Sequence, residues 1–216
     1  MKILFFGDNI TDAGRARDGS SHMSTLGWGF VRVIADRLQG VEPEKYEIIN
    51  QGISGNRVVD LYARIKCDAW NLCPDVISIL IGVNDIWHEV SRQNGVEIER
   101  FENVYRMMIE DTKKALPNVK MILCEPFILK GFATESTVEI PDKFERFCEV
   151  YKYAEVVKKL AKEFDLPFLP LQEAFNKGAE NSKAEYYLSD GVHPHIAGAK
   201  LIADEWMKLF NQYVKE

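Results

Sequence analysis

Short apolar runs alternate along the chain with longer segments in which apolar and polar residues are mixed. The apolar runs at 2–6, 46–50, 75–81, 120–127 and 166–170 predict strands. The middle runs are apolar almost throughout, which is typical of strands with both faces covered. We therefore expect these strands to lie between layers of helices.

The mixed segments carry apolar residues at helical spacing, which predicts helices over 28–39, 57–70, 98–116, 144–164 and 195–214. Strands that alternate with helices favour a parallel sheet with right-handed crossovers. The predicted fold class is therefore α/β, with helices on both faces of a parallel five-stranded sheet. A chain of 216 residues suits one α/β domain better than two, so we assign 1–216 to a single domain.

Composition narrows the classes of partner. The chain has 27 basic and 33 acidic residues and no Lys/Arg run long enough to follow a phosphate backbone, so we expect no nucleic-acid partner. The apolar start ends at Gly7 and Asp8, too early for a signal peptide, and no later run could span a bilayer. We therefore expect a cytoplasmic protein with no membrane partner.

The cysteines do not indicate a metal site or a disulfide framework. They lack the paired CxxC spacing of a zinc site, and a chain of this size needs no disulfides to fold. We interpret all four as buried free thiols: Cys67, Cys73, Cys124 and Cys148.

Polar motifs follow the first three predicted strands. "GDNIT" follows the first strand, "NQGISGN" the second and "GVND" the third. In an open parallel sheet the ligand crevice lies beyond the carboxyl ends of the strands, so these motifs are expected to meet at one site. The least regular stretch, 128–141, is predicted to be a mobile loop over that site.

The segment before the last predicted helix adds an acid and a base. In "YYLSDGVHPHIAG", Asp190 and His193 are three residues apart. A carboxylate at this spacing could hold one imidazole nitrogen while the other nitrogen faces a reacting group. The pair is therefore a candidate for the base and its orienting acid in a catalytic triad.

With these residues in view, the chain resembles the SGNH subgroup of the GDSL esterases, and within it the small intracellular acetyl xylan esterases. Four blocks carry the resemblance in the family's order: "FFGDNITDAGRAR", "NQGISGNRVVDL", "IGVNDIW" and "DGVHPHIAG". The resemblance implies a flavodoxin-like α/β/α fold and hydrolysis of acyl esters through an acyl-enzyme.

The resemblance also implies a role for each site residue. Position 9 is where the family keeps its nucleophilic serine. The backbone N–H groups of residue 9 and Gly52 and the side-chain amide of Asn84 would form the oxyanion hole. His193 would be the general base and Asp190 its orienter. Acyl transfer needs such a base and such donors whatever the family.

Position 9 departs from the family pattern because it holds asparagine. The nitrogen of a carboxamide is delocalised and offers no alkoxide, so Asn9 cannot take the covalent role of serine. Loss of a triad nucleophile costs on the order of a millionfold in turnover. We therefore expect a nearly inactive chain with an intact cleft. Engineered inactivation is the favoured explanation because every other block is kept, and a natural pseudoenzyme is the alternative.

Two residues beside the triad motifs are candidates for substrate contact. Asp8 precedes position 9, and Trp87 lies three residues after Asn84. Trp87 could form a stacking platform for a sugar ring, and packing beside the cleft explains it equally well. Trp28 lies within a helical pattern and is expected to pack in the core.

Metal ligation and further histidine catalysis are weaker interpretations. Aspartates in short loops commonly accept bonds from nearby backbone N–H groups, so we predict no metal site and no cofactor from Asp8, Asp12, Asp85 and Asp190. The remaining histidines lack a partner in the sequence and are expected at loops, the cleft rim or a helix start: His22, His88 and His195.

The function predicted from the sequence is that of a carbohydrate esterase scaffold. Its substrate class would be acetylated xylo-oligosaccharides or similar acetylated sugars, with this chain inactivated at position 9. A lysophospholipase or thioesterase of the same family is one alternative, and a glycan-binding protein without turnover is the other. The resemblance to acetyl xylan esterases also favours a homo-oligomer.

Overall fold

The computed structural model describes residues 1–18 and 21–214. Within them, five strands form one parallel sheet in the order β2-β1-β3-β4-β5. The strands are β1 (Lys2–Gly7), β2 (Glu47–Gly52), β3 (Val76–Leu80), β4 (Lys120–Cys124) and β5 (Phe168–Leu169). The predicted five-stranded parallel sheet is confirmed.

Helices flank the sheet, which confirms the three-layer prediction. They are α1 (Asn9–Asp12), α2 (His22–Thr25), α3 (Phe30–Leu38), α4 (Val58–Asp68), α5 (Val83–Arg92), α6 (Ile98–Ala115), α7 (Lys143–Phe147), α8 (Val150–Glu163), α9 (Gln172–Asn181) and α10 (Ile196–Tyr213). Helix α10 packs against α3, whereas α6 packs against α4 and α8. No helix in the described part of the chain is long and apolar enough to cross a membrane.

The core explains why the central strands read as continuous apolar runs. Every residue of β3 is buried, including Ser78. The hydroxyl of Ser78 is satisfied because its Oγ accepts a hydrogen bond of 3.0 Å from Nε1 of Trp206 on α10. The Trp206 ring in turn packs against Phe5 of β1, with ring centroids 5.2 Å apart. Sheet and helix layers therefore share one close-packed interior.

Several local predictions were wrong. The helix expected over 144–164 is divided into α7 and α8 at Cys148 and Glu149. Trp28 is 82% exposed, because it lies in a turn between Gly27, at φ 74°, and the start of α3. The four cysteines are free thiols, but only Cys124 is buried.

The strand order places a crevice at the carboxyl end of β1. The chain moves from β1 to β2 on one side and then crosses to β3 on the other side. At such a switch point the connections after neighbouring strands diverge and leave room for a ligand. The segments that follow β1, β2 and β3 are α1, the loop 53–57 and α5. Each carries one of the polar motifs found in the sequence.

Candidate active site

The first turn of α1 fixes residue 9 at the mouth of this crevice. Oδ1 of Asp8 accepts a hydrogen bond of 2.9 Å from the backbone N–H of Ile10 and so caps the helix. Asn9 is the first residue of α1, and its side chain is partly exposed. A short polar residue such as Asp satisfies the free N–H groups at a helix start. Asp8 therefore orients the segment that carries Asn9.

Asp8 itself lies beneath the cleft and does not line it. It is 1% exposed, and its Oδ2 has no hydrogen-bond partner within the described residues. Burial raises the pKa of Asp8 to about 7, because the charged carboxylate is poorly solvated there, although its bond to Ile10 acts in the opposite direction. The geometry gives Asp8 a structural contact rather than a direct route to substrate.

Asp190 and His193 form the acid and base pair expected from their spacing. Nδ1–H of His193 donates to Oδ2 of Asp190 at 2.7 Å. The other carboxylate oxygen accepts from the backbone N–H groups of Val192 at 3.0 Å and His193 at 2.8 Å. These bonds fix both the carboxylate and the imidazole, and they leave Nε2 of His193 facing the cleft as an acceptor.

The charges of the pair follow from these contacts. Burial opposes ionisation of Asp190, but the hydrogen bonds from His193 and Val192 outweigh it and lower the pKa of Asp190 to about 2. The hydrogen bond to Asp190 raises the pKa of His193, against a smaller opposing effect of burial. An ionised carboxylate thus stabilises the imidazolium form of His193.

Asn9 lies between His193 and Asn84. Its Nδ2 is 2.5 Å from Nε2 of His193, and its Oδ1 accepts a hydrogen bond of 2.6 Å from Nδ2 of Asn84. Since Nδ1 of His193 carries the proton donated to Asp190, Nε2 is the acceptor and Asn9 the donor. One carboxamide therefore joins the imidazole of His193 to the side-chain amide of Asn84.

The "NQGISGN" loop does not bring Gly52 into the cleft. The N–H of Gly52 donates to Oδ1 of Asn50 at 2.8 Å, and an added Cβ on Gly52 would lie 2.1 Å from the backbone nitrogen of Asp12. Gly55 lines the cleft instead, at φ 82°. Within residues 1–18 and 21–214, the N–H of Gly55 has no acceptor. The resemblance implies Gly52 as the donor in this loop, so Gly55 was missed from the sequence.

Asn50 is a site-positioning residue that sequence reasoning missed. Its Nδ2 donates to the backbone carbonyls of Thr11 at 2.7 Å and Leu26 at 2.9 Å, while its Oδ1 accepts from Gly52. This buried amide ties α1 and the loop before α3 to the end of β2. The available signal was a polar residue, Asn50, at the end of an otherwise apolar strand run.

Asp12 and Asp85 accept hydrogen bonds from protein N–H and hydroxyl groups. Asp12 accepts from the N–H and the hydroxyl of Ser54, both at 2.8 Å. Asp85 accepts from the N–H of Val58 at 3.0 Å, and burial raises its pKa well above the usual value. No group of three or more potential metal ligands occurs in the described part of the chain.

The cleft above Asn9 has a volume of about 280 Å³. Most of the residues that line the cleft carry polar side chains. The lining residues are Asn9, Ser54, Gly55, Asn84, Trp87, His88, Ser91, Arg92 and His193. The Trp87 ring lies 5.6 Å from the His193 ring and 5.6 Å from that of Phe147. Trp87 therefore both borders the cleft and packs against His193.

The 128–141 segment lies beside the loop of Asp190, whereas His195 and His22 lie outside the cleft lining. The N–H of Leu129 donates to the carbonyl of Gly191, and that of Ala133 to the carbonyl of Asp190, each at 2.8 Å. The first part of the 128–141 segment is thus attached to the loop that carries Asp190. His195 is exposed at the start of α10, and His22 bonds to Gln39 on the surface.

Comparison with known sequences shows the family of this chain. The sequence profile of the GDSL-like Lipase/Acylhydrolase family matches residues 5–201. The chain belongs to this family. This GDSL-family chain is 34% identical over 213 residues to the acetylxylan esterase of Geobacillus stearothermophilus. The alignment covers 96% of this chain and 92% of that enzyme. It is 26% identical to thioesterase 1/protease 1/lysophospholipase L1 of Escherichia coli K12, over 95% of this chain and 80% of that one.

Solved structures of GDSL relatives share the fold. A GDSL-like lipase-family protein from Parabacteroides merdae superimposes with a TM-score of 0.86 at 37% identity, over 97% of this chain and 95% of that chain. The Geobacillus acetylxylan esterase gives a TM-score of 0.83 at 33% identity, over 96% and 93%. Catalytic mutants of that enzyme replace a serine, an aspartate and a histidine, the last two separated by three positions as Asp190 and His193 are.

Proposed function

We propose that this GDSL-family chain is an esterase scaffold for acetylated sugars whose nucleophile position holds Asn9. One observation carries the proposal: the side chain at position 9 is hydrogen-bonded to Nε2 of His193 and to the amide of Asn84. A nucleophile in an acyl-transfer site must touch both the general base and the region where the oxyanion forms. Position 9 meets both requirements.

The chemistry of the serine form follows from the same contacts. With a hydroxyl at position 9, Nε2 of His193 would take its proton as the oxygen attacks the ester carbonyl. The negative charge on the carbonyl oxygen would be met by Nδ2 of Asn84 and by the backbone N–H groups of residue 9 and Gly55. Gly55 replaces Gly52 in this proposal because the N–H of Gly52 already donates to Asn50.

The substrate class rests on the relatives and on the cleft. The Geobacillus relative is an acetylxylan esterase. A cleft of about 280 Å³ is small, and His88, Ser91 and Arg92 place polar groups along its wall. Such a wall suits the hydroxyl groups of a sugar better than the long apolar chain of a lysophospholipid or acyl thioester. We therefore place an acetylated xylo-oligosaccharide or a similar sugar in the cleft.

A glycan-binding protein without turnover is the second candidate, and Asn9 is the observation that favours it. A carboxamide cannot form the acyl-enzyme, but it leaves the cleft walls unchanged. In this case the chain would bind an acetylated sugar at the same site and release it intact.

Acetate release tests the esterase proposal. The parent chain and the Asn9→Ser variant are assayed with acetylated xylo-oligosaccharide, with 4-nitrophenyl acetate and with 4-nitrophenyl palmitate. We expect Asn9→Ser to gain several orders of magnitude on both acetates and little on the palmitate. His193→Ala in the Asn9→Ser background should lose this gain, and the exposed His195→Ala should keep it. A folded Asn9→Ser variant that cleaves neither acetate would contradict the proposal, and preference for the palmitate would favour the lipid alternative.

A further inference from the structure

The Asn9 carboxamide is held as a substrate carbonyl would be held. Its carbonyl oxygen accepts from Asn84 at 2.6 Å, and its nitrogen lies 2.5 Å from Nε2 of His193. In acyl transfer, the carbonyl oxygen faces the oxyanion donors and the leaving group faces the histidine that protonates it. The two ends of the amide occupy these two positions.

The surroundings of Asn9 also suit attack on its carbonyl carbon. The side chain lines the open cleft, so water can reach it. Nδ2 of Asn84 already donates to Oδ1, and the N–H of Gly55, on the wall of the same cleft, has no acceptor within the described residues. The site therefore contains a base, oxyanion donors, a bound amide and access for water.

We propose that this site hydrolyses its own Asn9 carboxamide and converts residue 9 to aspartate. The inference rests on the proposed function, because it uses the same base and the same donors. The hydrogen bond from Nδ2 to Nε2 of His193 first opens, and Nε2 then takes a proton from water while the water oxygen bonds to Cγ and the carbonyl electron pair moves to Oδ1. The electron pair on Oδ1 re-forms the carbonyl and the Cγ–Nδ2 bond breaks as His193 returns the proton to the leaving nitrogen. The new carboxylic acid then passes its proton to the ammonia. The net change is amide plus water to carboxylate plus ammonium.

This route is distinct from ordinary deamidation of asparagine. The ordinary reaction begins when the next backbone nitrogen attacks the side chain and forms a succinimide, which opens to both aspartate and isoaspartate. At residue 9 that nitrogen belongs to the buried Ile10, and its N–H donates to Asp8 in the first turn of α1. Direct hydrolysis by water gives aspartate alone, so the product identifies the route.

The chain contains its own reference for the ordinary reaction. Asn94 is exposed and precedes Gly95, which has no side chain to hinder attack by its nitrogen. The N–H of Gly95 donates to Oε2 of Glu89 at 3.0 Å, but this bond is exposed and water can replace it, whereas the bond from Ile10 to Asp8 is buried. It lies outside the triad, and its Oδ1 accepts a hydrogen bond from Nη1 of Arg57. Asn94 should form both aspartate and isoaspartate, at a rate that does not depend on His193.

Peptide mapping by mass spectrometry tests the proposal. The freshly purified chain is incubated at neutral pH, and the fractions of asparagine, aspartate and isoaspartate at residues 9 and 94 are followed over days. We expect aspartate without isoaspartate at residue 9. His193→Ala and Asn84→Ala should each slow this change at least tenfold, since a general base and one oxyanion donor each contribute about a hundredfold or more. His195→Ala should leave it unchanged, and the change at Asn94 should be the same in every variant.

Several results would overturn the proposal. These are an intact amide at residue 9 while Asn94 reacts, isoaspartate at residue 9, or an equal rate in His193→Ala. Conversion that is complete at purification supports it only if His193→Ala retains the amide. The acetate assay of the Asn9→Ser variant tests the esterase assignment separately from self-hydrolysis of Asn9. Activity there with a stable Asn9 in the parent would reject self-hydrolysis and keep the esterase assignment.

Discussion

Replacement of Asn50 by alanine should strongly destabilise the protein, although Asn50 does not line the cleft. Asn50 is 4% exposed, and its side chain satisfies three backbone groups: the carbonyls of Thr11 and Leu26 and the N–H of Gly52. Asn50→Ala removes the partner of all three groups at a buried position. The segments released are α1, the loop before α3 and the end of β2.

The magnitude follows from the number of unpaired groups. A buried polar group left without a partner costs about 1–3 kcal/mol. Three such groups, partly offset by water entering the space left by the amide, give an expected loss of about 3–5 kcal/mol in the free energy of unfolding. Because a typical domain has about 5–15 kcal/mol in total, the variant should fold but unfold at much lower denaturant concentration.

Urea denaturation followed by circular dichroism measures this loss, with Asn181→Ala as the matched control. Asn181 is exposed, and its Nδ2 donates to the carbonyl of Lys177 within α9. The control should lose less than about 1 kcal/mol, since water can replace its bond. If Asn50→Ala came within 1 kcal/mol of the parent, the claim that this amide holds the site segments together would be refuted.

Three further predictions concern charge and backbone geometry at the site. In the Asn9→Ser background, kcat/KM should fall as the pH drops through the raised pKa of His193, because the protonated imidazole cannot act as a base. Asp190→Asn should move this fall to lower pH and should also lower the maximum rate. A pH–rate profile of each variant measures both effects. The pKa of Asp8 is about 7 in the folded protein and near 4 in the unfolded chain. Between these pH values the folded protein binds one proton more than the unfolded chain, so the free energy of unfolding decreases as the pH rises and this loss is complete above about pH 7. From pH 5 to 8 the parent should lose about 2–3 kcal/mol relative to Asp8→Asn in urea denaturation, and equal loss in both proteins would contradict this. Gly55→Ala places a side chain at φ 82°, so it should cost about 1–3 kcal/mol in the free energy of unfolding. The strained backbone should also displace the N–H of residue 55 and reduce kcat of the Asn9→Ser variant at least about tenfold, and an unchanged kcat would contradict this expectation.

The layered fold could be predicted because its causes are local. Strands buried on both faces must be apolar along their length, and Val76–Leu80 is a clear case. Polar motifs that follow neighbouring parallel strands must meet at one edge of the sheet. The same reasoning brought Asn9 and Asn84 to one cleft, whereas the resemblance to the GDSL esterases added the Asp190–His193 pair to it. Both the fold and the place of the site thus follow from pattern and topology.

The parts that the sequence did not predict depend on contacts between distant segments. The glycines of "NQGISGN" look alike in the sequence, and only the bond from Gly52 to Asn50 decides which N–H remains free. Trp28 is exposed because it lies in a turn before α3, whereas the apolar periodicity predicted that the helix begins at residue 28. The orientation of the Asn9 amide is set by His193 and Asn84, which lie 184 and 75 residues away along the chain.

Covalent labelling tests most directly whether position 9 is the nucleophile position of this site. The Asn9→Ser variant is treated with diethyl 4-nitrophenyl phosphate, and the modified residue is located by peptide mapping. A serine activated by His193 attacks phosphorus and expels 4-nitrophenolate, so we predict one diethylphosphoryl group, at residue 9. The parent and the Asn9→Ser, His193→Ala double variant should remain unlabelled. A folded Asn9→Ser variant that takes no label, or takes it at Ser54 on the cleft wall, would contradict the account.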